Sequence, residues 1–106
     1  MYYDKEGLPI TAMSWALLME SATYRIIKQD EAKNKNWVST VWLGLDHSHK
    51  KGERLIFETM VFRSEDDSTV LSCRRYATEK KARVGHEEML AEADAAPRHH
   101  LRMLEP

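Results

Sequence analysis

Asn36-Trp37-Val38-Ser39-Thr40-Val41-Trp42-Leu43-Gly44-Leu45-Asp46 is dense in β-branched and aromatic side chains. Such residues fit a pleated, partly buried strand. Side chains alternate along a strand, so Trp37, Ser39, Val41, Leu43 and Leu45 share one face and Val38, Thr40, Trp42, Gly44 and Asp46 the other. Both faces are partly apolar. The strand therefore belongs inside a sheet, with one face packed and the other half covered.

The neighbouring segments read outward from that strand. Beyond a polar loop at residues 47–53, Leu55-Ile56-Phe57-Glu58-Thr59-Met60-Val61-Phe62 is a second strand, paired with the first as a long-looped hairpin. Arg63-Ser64-Glu65-Asp66-Asp67-Ser68 is a solvated turn, and residues 69–76 alternate as a third strand. Upstream, residues 24–32 form an edge strand, where Lys28, Asp30 and Glu31 discourage pairing with other chains. Lys33-Asn34-Lys35-Asn36 is the turn that follows it.

Two helices flank the strands. Thr11 caps a short one over residues 12–20, with Met13, Ala16 and Leu17 facing inward, Trp15 close to that face and Leu18 and Met19 on its flank. Thr78 caps a longer one over residues 79–93, whose packing face is Ala82, Gly85, His86, Met89, Leu90 and Ala93. A mid-helix glycine costs about 1 kcal/mol against alanine, so Gly85 implies close packing on the sheet. The first ten residues are extended around a turn at Asp4-Lys5-Glu6-Gly7, with Leu8 held extended by Pro9. The expected fold is α+β: an antiparallel sheet of three to four strands, a short N-terminal helix and a longer C-terminal helix packed on the sheet. Residues 1–94 form a single domain, and residues 95–106, with Pro97 and Pro106, a mobile tail.

Composition narrows the classes of function. The chain has 106 residues, one domain's worth, with 42% hydrophobic and 31% charged side chains. Sixteen basic and seventeen acidic side chains give a net charge of −1, so no overall basic field draws in nucleic acid. The single cysteine, Cys73, allows no intrachain disulfide and suits a reducing cytosol. Residues 1–15 lack a basic start followed by an apolar run, and no apolar run approaches a membrane span. The expected location is the cytoplasm of a host cell, for the reason that follows.

Three stretches occur in order: Val38-Ser39-Thr40-Val41-Trp42-Leu43-Gly44-Leu45-Asp46-His47, Leu55 to Phe62, and Arg75-Tyr76-Ala77-Thr78-Glu79 with Gly85-His86 after it. In that order they resemble a group of small, functionally uncharacterised proteins of tailed phages and prophages. The opening, with Tyr3-Asp4-Lys5-Glu6-Gly7, Pro9 and Trp15, is similar too. The resemblance covers roughly residues 2–92. The loop at residues 47–53 departs from the group, which more often carries a Gly/Pro-rich loop there. The resemblance implies a phage setting and no chemistry.

Several residues invite a chemical reading. Glu58 shares a face with Ile56, Met60 and Phe62, where a carboxylate needs a partner. By alternation that face is the solvent side, with Leu55, Phe57 and Val61 packed inward. His86, on the helix packing face, is either satisfied by a backbone group or paired with Glu58. Asp46-His47-Ser48-His49 matches no standard zinc spacing, so no metal or cofactor is expected. Ser39 and Ser72 lack nucleophile-elbow glycines, and Cys73 reads as a packed small side chain. The basic clusters Lys50-Lys51, Arg74-Arg75 and Lys80-Lys81-Arg83 are balanced by Glu65-Asp66-Asp67 and Glu87-Glu88. Three tryptophans in so short a chain suit a protein-binding surface.

The expectation is therefore a phage-type accessory protein acting by stoichiometric binding of a host or phage protein, as an anti-CRISPR-like inhibitor of host defence. Trp42, Trp37, Asp46, His47 and Lys28 are the candidate binding residues, and pairing through a sheet edge would give a homodimer. A small enzyme or metal-binding protein using Glu58, His86 and His47 is the alternative, and a nucleic-acid-binding module the second.

Overall fold

The computed structural model describes residues 1–46 and 52–96. Its centre is a four-stranded antiparallel meander in sequence order, built from β3 (Ile26–Glu31), β4 (Trp37–Trp42), β5 (Phe57–Ser64) and β6 (Asp67–Tyr76). Before it come a small hairpin, β1 (Tyr2–Tyr3) and β2 (Pro9–Ile10), and two helices, α1 (Ala12–Glu20) and α2 (Ala22–Arg25). After it comes α3 (Glu79–Ala95), which packs across one face of the sheet. The expected α+β architecture holds, with β4 interior and β3 at an edge.

Local chemistry sets the boundaries. Asp4 closes the first turn, its Oδ1 accepting from the backbone N–H groups of Glu6 (3.0 Å) and Leu8 (2.9 Å). Thr11 and Thr78 cap α1 and α3 by accepting from the N–H groups of Ser14 and Lys81. α3 runs through Ala95, slightly past its expected end. Ser21 caps the four-residue α2, which takes Tyr24 and Arg25 out of the strand expected from residue 24.

β4 stops at Trp42, short of the expected Asp46, because Gly44 takes a left-handed conformation at φ +70°. The chain there leaves β5 and joins the N-terminal hairpin: the Tyr3 N–H donates to the Gly44 carbonyl at 2.9 Å, and Leu45 bridges Tyr2. The expected packing face of α1 is corrected. Met13 and Leu17 are exposed, and Trp15, Leu18 and Met19 turn inward instead. The Trp15 indole sets this rotation, since its N–H donates to the Leu43 carbonyl at 2.9 Å.

Two clusters make the core. Tyr3, Trp42, Ile56, Phe57 and Ala82 pack at one end, joined by Trp15, Leu18, Met19 and Tyr24. Ala32, Val38, Val61, Met89 and Ala93 pack at the other. Five of the six residues expected on the packing face of α3 are buried, and Leu90 is half-buried. Gly85 lets the Tyr76 ring lie against the helix backbone, as a Cβ there would meet that ring at 2.2 Å.

Gly44 gives the sharpest test of this packing. A Cβ on it would sit 2.5 Å from the Trp42 ring and 2.6 Å from that of Trp15, on a backbone that side chains adopt at a cost. Gly44→Ala is expected to lower unfolding stability by about 2–4 kcal/mol, from left-handed strain plus overpacking, as read by urea denaturation.

Candidate functional site

The pleat separates the polar residues of the sheet into two groups. Toward α3 point Asp30 of β3, Val38, Thr40 and Trp42 of β4, and Phe57, Thr59 and Val61 of β5, the partners being set by the register Thr40↔Thr59↔Arg74. Away from α3 point Ser39 and Val41, Glu58 and Met60, and Cys73 and Arg75. His86 comes from α3 and Glu58 from the opposite face. The candidate Glu58–His86 pair is therefore not formed.

His86 is fully buried and both ring nitrogens have side-chain partners. Nδ1 lies 2.7 Å from Thr40 Oγ1, and Nε2 lies 2.7 Å from Asp30 Oδ2. Thr40 Oγ1 is 2.5 Å from Thr59 Oγ1, and the Tyr76 hydroxyl donates to Met89 Sδ at 3.6 Å. A carboxylate only accepts, so His86 Nε2 carries a hydrogen toward Asp30. In the neutral ring Nδ1 accepts from Thr40, and Thr40 accepts from Thr59. Burial raises the Tyr76 pKa, which keeps its hydroxyl protonated. No buried side-chain nitrogen or oxygen among the described residues lacks a partner.

Carboxylate, imidazole and hydroxyl in this order resemble the arrangement that activates a nucleophile. Thr40 and Thr59 are both 0% exposed, however, so neither hydroxyl can meet a substrate. The chain reaches solvent at its other end. Asp30 is about one-third exposed, and Lys28 Nζ lies 3.8 Å from it and 2.7 Å from Glu87 Oε2. The Glu87 hydrogen bond raises the Lys28 pKa.

Glu58 is buried on the far face beneath two neighbours. Arg75 Nε donates to it at 3.0 Å and Cys73 Sγ at 3.1 Å. Cys73 is exposed as a residue, contrary to the packed position expected, but its sulfur turns to this carboxylate. Burial of the sulfur, then the hydrogen bond and negative charge of Glu58, push the thiol up to about 11. It stays protonated at neutral pH and is a poor nucleophile.

The other binding candidates divide. Trp42 is 0% exposed, its indole N–H donating to the Tyr3 carbonyl at 3.1 Å and its ring meeting Tyr24 edge-on at 4.9 Å. The expectation of a half-covered Trp42 is corrected: its parity places it under α3. Asp46 holds the neck of the loop by accepting from the Leu55 N–H at 3.1 Å. His47, most of the loop at residues 47–53 and nearly all of the expected tail lie outside the described residues.

Trp37 is the tryptophan of the open face. It stands in a row with Phe62 and Val70 across β4, β5 and β6, with Met60 in the next row and Val41 in the row beyond that. None of these five belongs to either core cluster or to the residues packed against one. Val70 is 49% exposed and the other four are half-buried. The β3 edge, by contrast, carries ion-paired Lys28 and Glu31 and a register shift after Ile26, features that discourage an added strand.

The polar residues left unmarked by sequence reasoning were Asp30, Thr40 and Thr59 as partners of His86. A signal exists, since each threonine sits at a position whose strand neighbours two residues away are apolar and buried. Thr40→Val should cost about 1–3 kcal/mol by stranding a buried nitrogen of His86, read by urea denaturation. Glu58→Gln should lower the Cys73 pKa and raise its alkylation rate at pH 8 several-fold, because a neutral amide no longer opposes the thiolate. No protein-family model, curated protein or solved structure matches the chain.

Proposed function

We propose that the protein works by stoichiometric binding of another protein through the open face of its sheet. The observation that carries this reading is the row Trp37–Phe62–Val70, with Met60 in the next row and Val41 on the same face beyond it. These are large apolar side chains on a regular surface, and they contribute to neither core cluster. Aromatic anchors on a rigid scaffold are what a protein interface uses. Glu31 and Arg75, on the outer strands of the same face, supply a polar rim. In the phage setting that the resemblance implies, the partner is a host or phage protein, and inhibition of a host defence system is the role that fits a small binding protein.

The competing readings lose support on specific residues. An enzyme built on this chain would need a hydroxyl that meets its substrate, and Thr40 and Thr59 are sealed. A nucleic-acid surface would need free cations, and the described basic clusters are largely paired: Arg74 with Glu88 and Glu92, Lys81 with Glu53, Arg83 with Glu79, and Arg75 with Glu58.

Once a partner is captured from host lysate and its affinity measured, Trp37→Ala and Phe62→Ala should each weaken binding by at least about 2 kcal/mol, roughly thirtyfold. Circular dichroism should show both variants folded. Trp42→Ala should instead cost about 3–5 kcal/mol of stability, because it empties the core. Unchanged affinity in both open-face variants would remove this reading.

A further inference from the structure

The sequence suggests metal ligands at Asp46-His47-Ser48-His49 or among Glu58, His86 and His47, but the fold assembles a different set. An oxygen of Asp30, a ring nitrogen of His86 and an oxygen of Glu87 all lie within 4.8 Å of one another. We infer that these three side chains form a site for a single divalent transition-metal ion, with zinc as the reference ion, and that Lys28 is a built-in cation competing for it. The site lies where β3 meets α3, on the side of the sheet opposite the proposed binding face, and its argument is independent of that reading.

Four features support a metal centre over an ordinary ion pair. His86 is 0% exposed, and Thr40 holds it from behind at 2.7 Å, as the outer shell of a metal site fixes a ligating imidazole. Thr59 extends that support inward. The ligands come from β3 and α3, so the fold sets the spacing of Asp30 and His86. The two carboxylates are partly exposed, which gives an ion a path in. Finally, the spot already attracts a cation: the Lys28 ammonium lies 3.8 Å from Asp30 and 2.7 Å from Glu87.

The donor set selects the ion. One imidazole nitrogen with two carboxylate oxygens suits Zn²⁺, Co²⁺ or Mn²⁺ better than Mg²⁺ or Ca²⁺, which take oxygen-only shells. Three protein ligands leave one position of a tetrahedral zinc open to water. Bonds near 2.0–2.2 Å set the donors about 3.4 Å apart around a tetrahedral ion, so Asp30 Oδ2 must draw back from its 2.7 Å contact with His86 Nε2 while the exposed Glu87 side chain closes in once Lys28 withdraws.

Coordination needs the Nε2 lone pair, so the hydrogen must move to Nδ1. Nδ1 then donates to Thr40, and Thr40 to Thr59. The Thr40–Thr59 hydroxyl pair can run in either direction. The metal therefore exchanges one tautomer of His86 for the other.

The test titrates Co²⁺ and Zn²⁺ into the full chain by calorimetry and visible absorption, and follows the His86 ring by nitrogen-15 NMR. One equivalent should bind, with the His86 hydrogen shifting from Nε2 to Nδ1. Asp30→Asn and Glu87→Gln, both at partly exposed positions, should each weaken binding at least tenfold while the fold persists by circular dichroism. Lys28→Met should tighten it about tenfold by removing the competing charge, an effect that a purely structural ion-pair cluster would not produce. His47, His49, His99 and His100 are controlled for by changing all four to Gln, which should leave the site intact. Loss of binding in that background, no binding in Lys28→Met, or affinity indifferent to Asp30→Asn and Glu87→Gln would each overturn the proposal.

Discussion

An imidazole sealed between a helix and a sheet must find a partner for each ring nitrogen inside the fold, and that requirement sets how α3 lies on the strands. His86 is met by Thr40 from the interior of the sheet and by Asp30 from its edge. Satisfying both at once fixes the rotation of α3 and its position along β3 and β4. Gly85 beside it then lies under the Tyr76 ring, and Met89 and Ala93, further along the helix, fall into the second core cluster. The apolar contacts supply most of the driving force. The hydrogen-bond chain supplies direction, because an apolar helix face could slide by a turn at little cost and a buried imidazole cannot.

The N-terminal segment works differently. Residues 1–25 close the end of the first core cluster, and do so largely through the indole and phenol groups. Trp15 bonds to the Leu43 carbonyl, Trp42 to the Tyr3 carbonyl, and the Tyr24 hydroxyl accepts from the Lys5 N–H. Each ring buries its body and spends its polar tip on a backbone group that strand pairing leaves over. This is why α1 can be strongly apolar yet have no fully buried residue.

Much of this architecture was legible in the sequence. The β-branched run at residues 37–42, the turn residues and the two threonine caps reported their elements directly, because each acts over a few residues. The end of β4 was not legible, since the backbone of Gly44 answers to the hairpin at Tyr2 and Tyr3 far upstream. The inward face of α1 was misread because spacing favoured Met13 and Leu17, while one indole hydrogen bond decided for Trp15. The polar centre was legible only in part. His86 stood out, but its partners lie 46 and 56 residues away, and the strand parity that separates Glu58 from it depends on which face the helix covers. Pairings at that separation leave no periodic trace.

The two faces of the sheet answer to different constraints. On the helix side, exchanging a residue disturbs a core cluster or the hydrogen-bond chain. Trp37, Met60, Phe62 and Val70 lie outside both clusters. Their identity is therefore read mainly by whatever lies against them, and hardly by the rest of the chain. On the binding reading proposed above, a changing partner would move this surface through many sequences while the scaffold beneath it stays the same.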